Sequence, residues 1–273
     1  AAPPPPAYRA PPPMPPPQRH GPQVRVLFVE SFSACRAALA QAAFLRLAQA
    51  YPMLHVEADL AVLLPFGEPG DVEVDARARM VGERLGAQLP LTARAFDERQ
   101  DMVDADLVLV MDEMDHAEAL QLVCAYDRLD ASEHACALRL RRLAAYARLR
   151  SAVSRGADGE GEGEGDGAGG EGGAQAALEA LEVPDPLYGN TGTLGEQLRR
   201  LNGTTSQLAR CCRGLLDHLY RLNYRAAPGS SLREVLAEHV RTSPTGLGPQ
   251  AAKLLGSAAA PAGSGRGGER PGG

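Results

Sequence analysis

The period of apolar and polar positions changes several times along the chain. Val24 and Val26 to Val29 form a short apolar run, as expected of a strand covered on both faces. From Arg36 to Tyr51 the spacing becomes helical, advancing through Leu39, Ala42 or Ala43, Leu45 or Arg46, and Ala50 without an interior Pro or Gly. Met53 to Leu64 alternates through Leu54, Val56, Ala58, Leu60 and Val62 and predicts a second strand. Leu63 to Asp71 carries Pro65, Gly67, Pro69 and Gly70, a turn-rich connection. Asp71 to Ala87 predicts a helix with Val74, Ala78, Met80 or Val81 and Leu85 inward, closed by Gly86. A short strand over Leu89 to Ala95, a short helix over Asp97 to Asp104 and a buried strand over Asp106 to Met111 follow. Strands and helices alternating at this pace predict a three-layer α/β/α fold around a four-stranded parallel sheet.

Asp115 to Arg150 has helical composition throughout, in two or three pieces, with His116, Glu133 and His134 expected on solvated faces. From Gly156 to Gly173 glycine alternates with Glu160, Glu162, Glu164, Asp166 and Glu171, a composition that buries no apolar area and repels itself. It is expected to be a flexible surface insertion. Leu194 to Tyr220 returns to helical spacing, but Asn202-Gly203-Thr204-Thr205 breaks the pattern and predicts two helices or a kinked one. Beyond Arg225 only Ser231 to Arg241 reads as helix. The plan is a proline-rich disordered segment at 1–23, one domain at 24–224 that contains the 156–173 insertion, and a mostly disordered tail at 225–273.

Composition narrows the function classes. The chain has 273 residues and a net charge of −6, with six of its 34 acids and no base in the glycine-rich run, and a single lysine, Lys253. No basic face announces nucleic acid. Five cysteines, Cys35, Cys124, Cys136, Cys211 and Cys212, show neither a disulfide framework nor metal-ligand spacing, so neither a metal nor a cofactor is expected, and the compartment reads as reducing. No apolar run reaches the roughly eighteen residues a membrane span needs. Pro3 to Pro6, Pro11 to Pro13 and Pro15 to Pro17 favour extended polyproline and suit modules of the SH3 or WW kind. The expected location is cytoplasmic, the alternative being a chloroplast or other organelle reached through an N-terminal transit segment, because Arg9, Arg19 and His20 precede the first acid, Glu30.

Candidate chemistry lies where the first strand meets the first helix, in Val29-Glu30-Ser31-Phe32-Ser33-Ala34-Cys35-Arg36-Ala37. A loop of this length aims backbone N–H groups and the positive helix end at one spot, which suits an anion. The segment resembles the phosphate loop of the low-molecular-weight protein tyrosine phosphatases, Val-Cys-x-Gly-Asn-x-Cys-Arg-Ser. Cys35 and Arg36 match that pattern, whereas Glu30 stands at the nucleophilic Cys, Phe32 at the Gly, Ser33 at the Asn and Ala37 at the final Ser. Two further stretches are similar to that family. Ala105 to Glu113 ends in Met-Asp-Glu like the family's later core strand, and Asp185-Pro186-Leu187-Tyr188-Gly189-Asn190 is similar to its general-acid loop, with Leu187 replacing the first Tyr.

The resemblance implies phosphate held by Arg36 and by the loop residues Ser31, Ser33 and Cys35, a leaving group protonated by Asp185, and an aromatic wall at Tyr188. A planar guanidinium matches phosphate oxygens, and a carboxylic acid on a loop can donate a proton. It also implies that the attacking thiolate is gone. Carboxylate nucleophiles for phosphorus usually stand beside a metal, and no acidic metal cluster accompanies Glu30. A phosphate dianion about 4 Å from the Glu30 carboxylate would be repelled by roughly 8 kcal/mol at an effective dielectric near 20. Phosphate or vanadate binding is therefore expected to need a proton and to weaken as pH rises from about 5 to 8. Without ligand, Glu30 is expected to pair with Arg36 and fill the anion site itself. Phe32 is expected to resist the glycine-like positive φ of the pattern and to crowd the cradle. The expected protein is a catalytically impaired phosphatase-like domain that binds phosphate, phosphotyrosine or a protein partner. The alternative is an active phosphomonoesterase that dephosphorylates phosphotyrosine with an altered loop.

Overall fold

The computed structural model describes residues 24–63, 70–130, 135–147, 183–187, 189, 192–227 and 229–242. The proline-rich segment, the 156–173 insertion, the residues after 242, Glu133, His134 and Tyr188 lie outside the described residues.

Strand β1 (Val24–Ser31) is the centre of the sheet. It pairs in parallel with β2 (Val56–Leu63) along its whole length, from Val24 opposite Val56 to Ser31 opposite Leu63. On its other side it pairs in parallel with β5 (Leu107–Val110). The described sheet runs β3-β4-β2-β1-β5-β6, where β3 is Val72–Glu73, β4 Thr92–Ala95 and β6 Leu140–Arg142. The expected parallel four, β4-β2-β1-β5, form its middle. To them are added a parallel edge strand, β6, and a two-residue antiparallel edge, β3.

Alternation along β1 creates the three layers. Val24, Val26 and Phe28 join one core with α1 (Cys35–Ala48), α2 (Ala76–Arg84) and the long α6 (Leu194–Arg225). Leu27 and Val29 join the other with α3 (Glu98–Asp104), α4 (Glu113–Asp130) and α5 (Ala135–Arg139). Phe28 meets Phe44 of α1 edge to face at 5.6 Å, and both rings are fully buried. Burial of each contributes about 1.5–3 kcal/mol.

Four readings of the sequence are corrected. Residues 71–87 are not one helix, because Val72–Glu73 form the edge strand β3 and α2 starts only after its Asp75 N-cap. Residues 115–150 are not helical throughout, because β6 interrupts them, and a strand of three residues leaves no periodic signal. His116 is not on a solvated face; it is 6% exposed, on the side of α4 turned toward β6. Asn202-Gly203-Thr204-Thr205 does not break α6, which runs uninterrupted from Leu194 to Arg225. There Thr204 and Thr205 are buried, and the Thr205 hydroxyl donates to the Leu201 carbonyl at 2.7 Å, so packing against α1 outweighs weak local propensity. A capping box starts this helix, with Thr193 and Glu196 exchanging hydrogen bonds.

Gly214 lets α6 approach the turn after β6. A Cβ built there would lie 2.2 Å from the Tyr146 backbone oxygen. Gly214→Ala is expected to destabilise the domain by about 2–4 kcal/mol although alanine favours helix, as measured by chemical denaturation.

The last helix, α7 (Leu232–Thr242), docks through Leu236, Val240 and a ring contact between His239 and His218 at 4.8 Å. Burial, then the neighbouring His239 and Arg221, push His218 down to about 4. The unfolded chain thus takes up a proton between about pH 6.5 and 4 that the folded chain refuses. Stability present above pH 6.5 is lost as pH falls through that window, by up to about 3 kcal/mol from this group. Denaturation midpoints measured from pH 7 to pH 4 are expected to fall less steeply in His218→Phe.

Candidate functional site

Glu30 occupies the last turn of β1 toward the helix, and strand parity directs it to the α1 face. Its carboxylate is fully buried and takes three hydrogen bonds. Oε1 accepts from Arg36 Nε at 2.8 Å and from the Ser33 hydroxyl at 2.9 Å, and Oε2 accepts from the Ala37 backbone N–H at 3.0 Å. Ala34, the N-cap of α1, has no side-chain acceptor to offer, so Glu30 supplies the helix cap from outside the helix. The expected internal pairing of Glu30 with Arg36 is present.

The loop between them turns sharply. Ser33 N–H donates to the Ser31 carbonyl at 2.9 Å across Phe32, whose φ is +68°, and Ala34 follows with φ +49°. Two residues other than glycine thus hold left-handed backbone, a strained arrangement that the surrounding ion pairs stabilise. The expectation for Phe32 is overturned on both counts. It adopts the positive φ, and its ring is 61% exposed, clear of the cradle instead of crowding it. Pointing the ring outward removes the steric objection, because only the backbone has to bend.

Arg36 is 3% exposed and holds the site together. Besides Glu30, its guanidinium donates to Asp112 Oδ2 at 2.5 Å, to the Val183 carbonyl at 2.7 Å and to Asp115 Oδ2 at 3.2 Å. Burial works against its charge, but Glu30 and Asp115 outweigh that and keep it cationic. One cation therefore faces three carboxylates. Asp115 bears the consequence: burial first, and the Asp112 charge beside it, push it up to about 6 against the opposing pull of Arg36 and the Ser31 N–H.

The residues expected to meet a phosphate are committed elsewhere. Ser31 donates its N–H to Asp115 Oδ1 at 2.8 Å and its hydroxyl to Glu118 Oε2 at 2.7 Å, tying the loop to α4. The Ser33 hydroxyl serves Glu30. Cys35 is fully buried, and burial together with the Glu30 charge pushes its thiol well above the usual range, so it stays protonated. Asp185 stands two residues beyond Val183, on the segment that Arg36 grips, and its Oδ1 accepts from the Leu187 N–H at 2.8 Å. Its charge is felt at Cys35 and Arg77. Glu30, Ser33 and Arg36 are thus brought into one cluster, with Asp185 on the adjoining segment.

Asp115 and Glu118 were not singled out from the sequence, and Asp112 was read only as part of the Met-Asp-Glu strand end, not as a site residue. A usable signal existed, because Asp112 and Asp115 have the spacing of a helix start, and the Asp115 N–H does donate to Asp112 Oδ1 at 2.9 Å. What the spacing omits is that α4 begins against the β1 loop. Among the described residues no group of acids, histidines and cysteines has the arrangement to hold a metal.

No family model matches the sequence, and no curated protein matches it. Solved structures of similar chain path include a protein tyrosine phosphatase from Entamoeba histolytica, 18% identical, with a TM-score of 0.49 over 73% of this chain and 98% of that one. A low-molecular-weight phosphotyrosine phosphatase from Vibrio cholerae is 16% identical, with a TM-score of 0.47 over 71% of this chain and 95% of that one. A Drosophila arginine phosphatase is 17% identical, with a TM-score of 0.47 over 74% of this chain and 98% of that one. Nothing about the loop rests on these likenesses; its chemistry follows from Glu30, Arg36 and their neighbours.

Proposed function

We propose that this chain is a phosphatase-like protein whose phosphate loop is closed by its own carboxylate, and that it acts by binding a protein partner without catalysing hydrolysis. The observation that carries this reading is the Glu30 carboxylate, which takes up Arg36 Nε, the Ser33 hydroxyl and the Ala37 N–H, donors that an anion in this loop would need. An incoming phosphate must displace an internal anion that is already desolvated and paired, and must do so beside Asp112 and Asp115. No thiolate replaces the lost nucleophile, since Cys35 is buried and protonated. Partner binding is supported by the outer side of the loop, where Phe32 is 61% and Met114 77% exposed on segments joined through Ser31 and Asp115. An aromatic side chain held outward at a left-handed position is a rigid contact for another protein.

The test is turnover of p-nitrophenyl phosphate, with vanadate titration of the same protein from about pH 5 to pH 8. Hydrolysis is expected to stay at the uncatalysed rate, and Glu30→Cys alone is expected to restore little, because Ser33 and Ala37 also depart from the loop pattern. Vanadate is expected to bind only weakly, and less as pH rises. Turnover abolished by Arg36→Ala, or vanadate affinity flat across the range, would overturn the reading.

A further inference from the structure

At the end of the sheet where β1 and β2 begin, large apolar side chains stand exposed around the C-terminal turns of α6. Tyr224 is 83% exposed, Met53 56% and Tyr220 43%. Tyr220 and Tyr224 are one helical turn apart and share a face. The patch is held in place: the Tyr220 ring meets Tyr51 edge-on at 6.1 Å, the Tyr51 hydroxyl donates to Asp217 at 2.5 Å, and Asn223 donates to the Met53 carbonyl at 3.4 Å. The chain enters the fold at the same place. Val24 N–H donates to the His55 carbonyl at 2.9 Å, two residues beyond Met53. Immediately before Val24 comes the proline-rich segment 1–23.

We propose that this aromatic patch is the docking surface for the chain's own proline-rich segment, residues 1–23, bound in cis. Proline-rich chains lose little entropy on binding and lay their rings on aromatic surfaces. Six residues, Gln18 to Gln23, separate Pro17 from Val24, and a polyproline chain of six residues reaches about 19 Å. Tethering of this length gives an effective concentration in the millimolar range, so a contact too weak to retain a free peptide is populated in cis. The segment carries Arg9 and Arg19 but no acid, and Arg221 and Arg225 flank the patch, so ring stacking and not ion pairing supplies the attraction. The like charges repel and are screened by salt, so the contact is expected to tighten as ionic strength rises.

Arg9 and Arg19 report on docking through the rate of trypsin cleavage in the full chain. The native chain is expected to be cut there about three- to tenfold more slowly than the double variant Met53→Ser/Tyr224→Ser. Both substituted side chains are exposed, and an unchanged thermal midpoint shows that the fold is intact. A synthetic peptide of residues 10–18, which contains no arginine, is expected at millimolar concentration to raise the native rate to that of the variant. Equal rates in the native chain and the variant would overturn the proposal. Protection that grows with protein concentration would overturn it as well, because the segment would then come from a second copy.

Discussion

Arg36→Ala is expected to cost about 3–5 kcal/mol, a large share of the roughly 5–15 kcal/mol that holds an ordinary domain folded. The guanidinium is the cation shared by Glu30, Asp112 and Asp115, and it also anchors the Val183 carbonyl. Its removal leaves the buried Glu30 and Asp115 carboxylates without their cation, beside the partly exposed Asp112. The loss is expected to depend on pH with a definite sign. Asp115, already pushed up to about 6 by burial and the Asp112 charge, loses the Arg36 charge that had been pulling it down, so in the variant it holds its proton to higher pH still. The folded variant thus binds a proton that the unfolded chain has released, and stability falls as pH rises from about 4 through the raised native value. Guanidinium unfolding followed by far-ultraviolet circular dichroism at pH 5 and pH 8 checks this. The deficit relative to the native chain should be larger at pH 8, whereas an equal deficit would mean that the carboxylates are not coupled through Arg36.

Glu30→Ala carries the second large effect, and it distinguishes an anion site from an ordinary ion pair. The substitution strips the cap from the Ala37 N–H and one partner from Arg36, which keeps Asp112, Asp115 and Val183. A loss of about 2–3 kcal/mol is expected, less than for Arg36 because the guanidinium remains paired. The freed donors then face a hollow the size of a carboxylate, and small oxyanions are expected to enter it. Phosphate or acetate at about ten times its dissociation constant should return about 1.4 kcal/mol by mass action. Glu30→Gln, which keeps the shape and fills the hollow, should gain nothing from either anion. Denaturation midpoints of the two variants with and without added anion decide the matter: rescue confined to Glu30→Ala is the expected result, and rescue of neither would deny that the loop is built around an anion.

How far these features could be read beforehand differs from one to the next. The strand, loop and helix at Val24 to Ala48 were legible because the apolar period changes from continuous to helical at one point, and β5 was legible as a buried apolar run. Glu30 was visible as a charge at the end of an otherwise apolar strand. Asp115 was not visible as part of the site, because nothing local to α4 states that its first turn abuts Ser31. The continuity of α6 through Asn202 to Thr205 was misjudged because local propensity there is poor, while the compensating contacts come from α1, distant in sequence.

The amino-acid order on its own determined which segments alternate as strands and helices, and that the junction of the first strand and first helix carries a carboxylate, Glu30, and a single arginine, Arg36. Those are properties of period and residue type, and both are local. Only the tertiary structure decided where the carboxylate goes and what the arginine must balance. Parity along β1 turns Glu30 onto the start of α1, and the packing of α4 and the Val183 segment against that junction surrounds Arg36 with three acids and a carbonyl. Distances between groups far apart in the chain set the sign and strength of buried electrostatics, and no local pattern contains them.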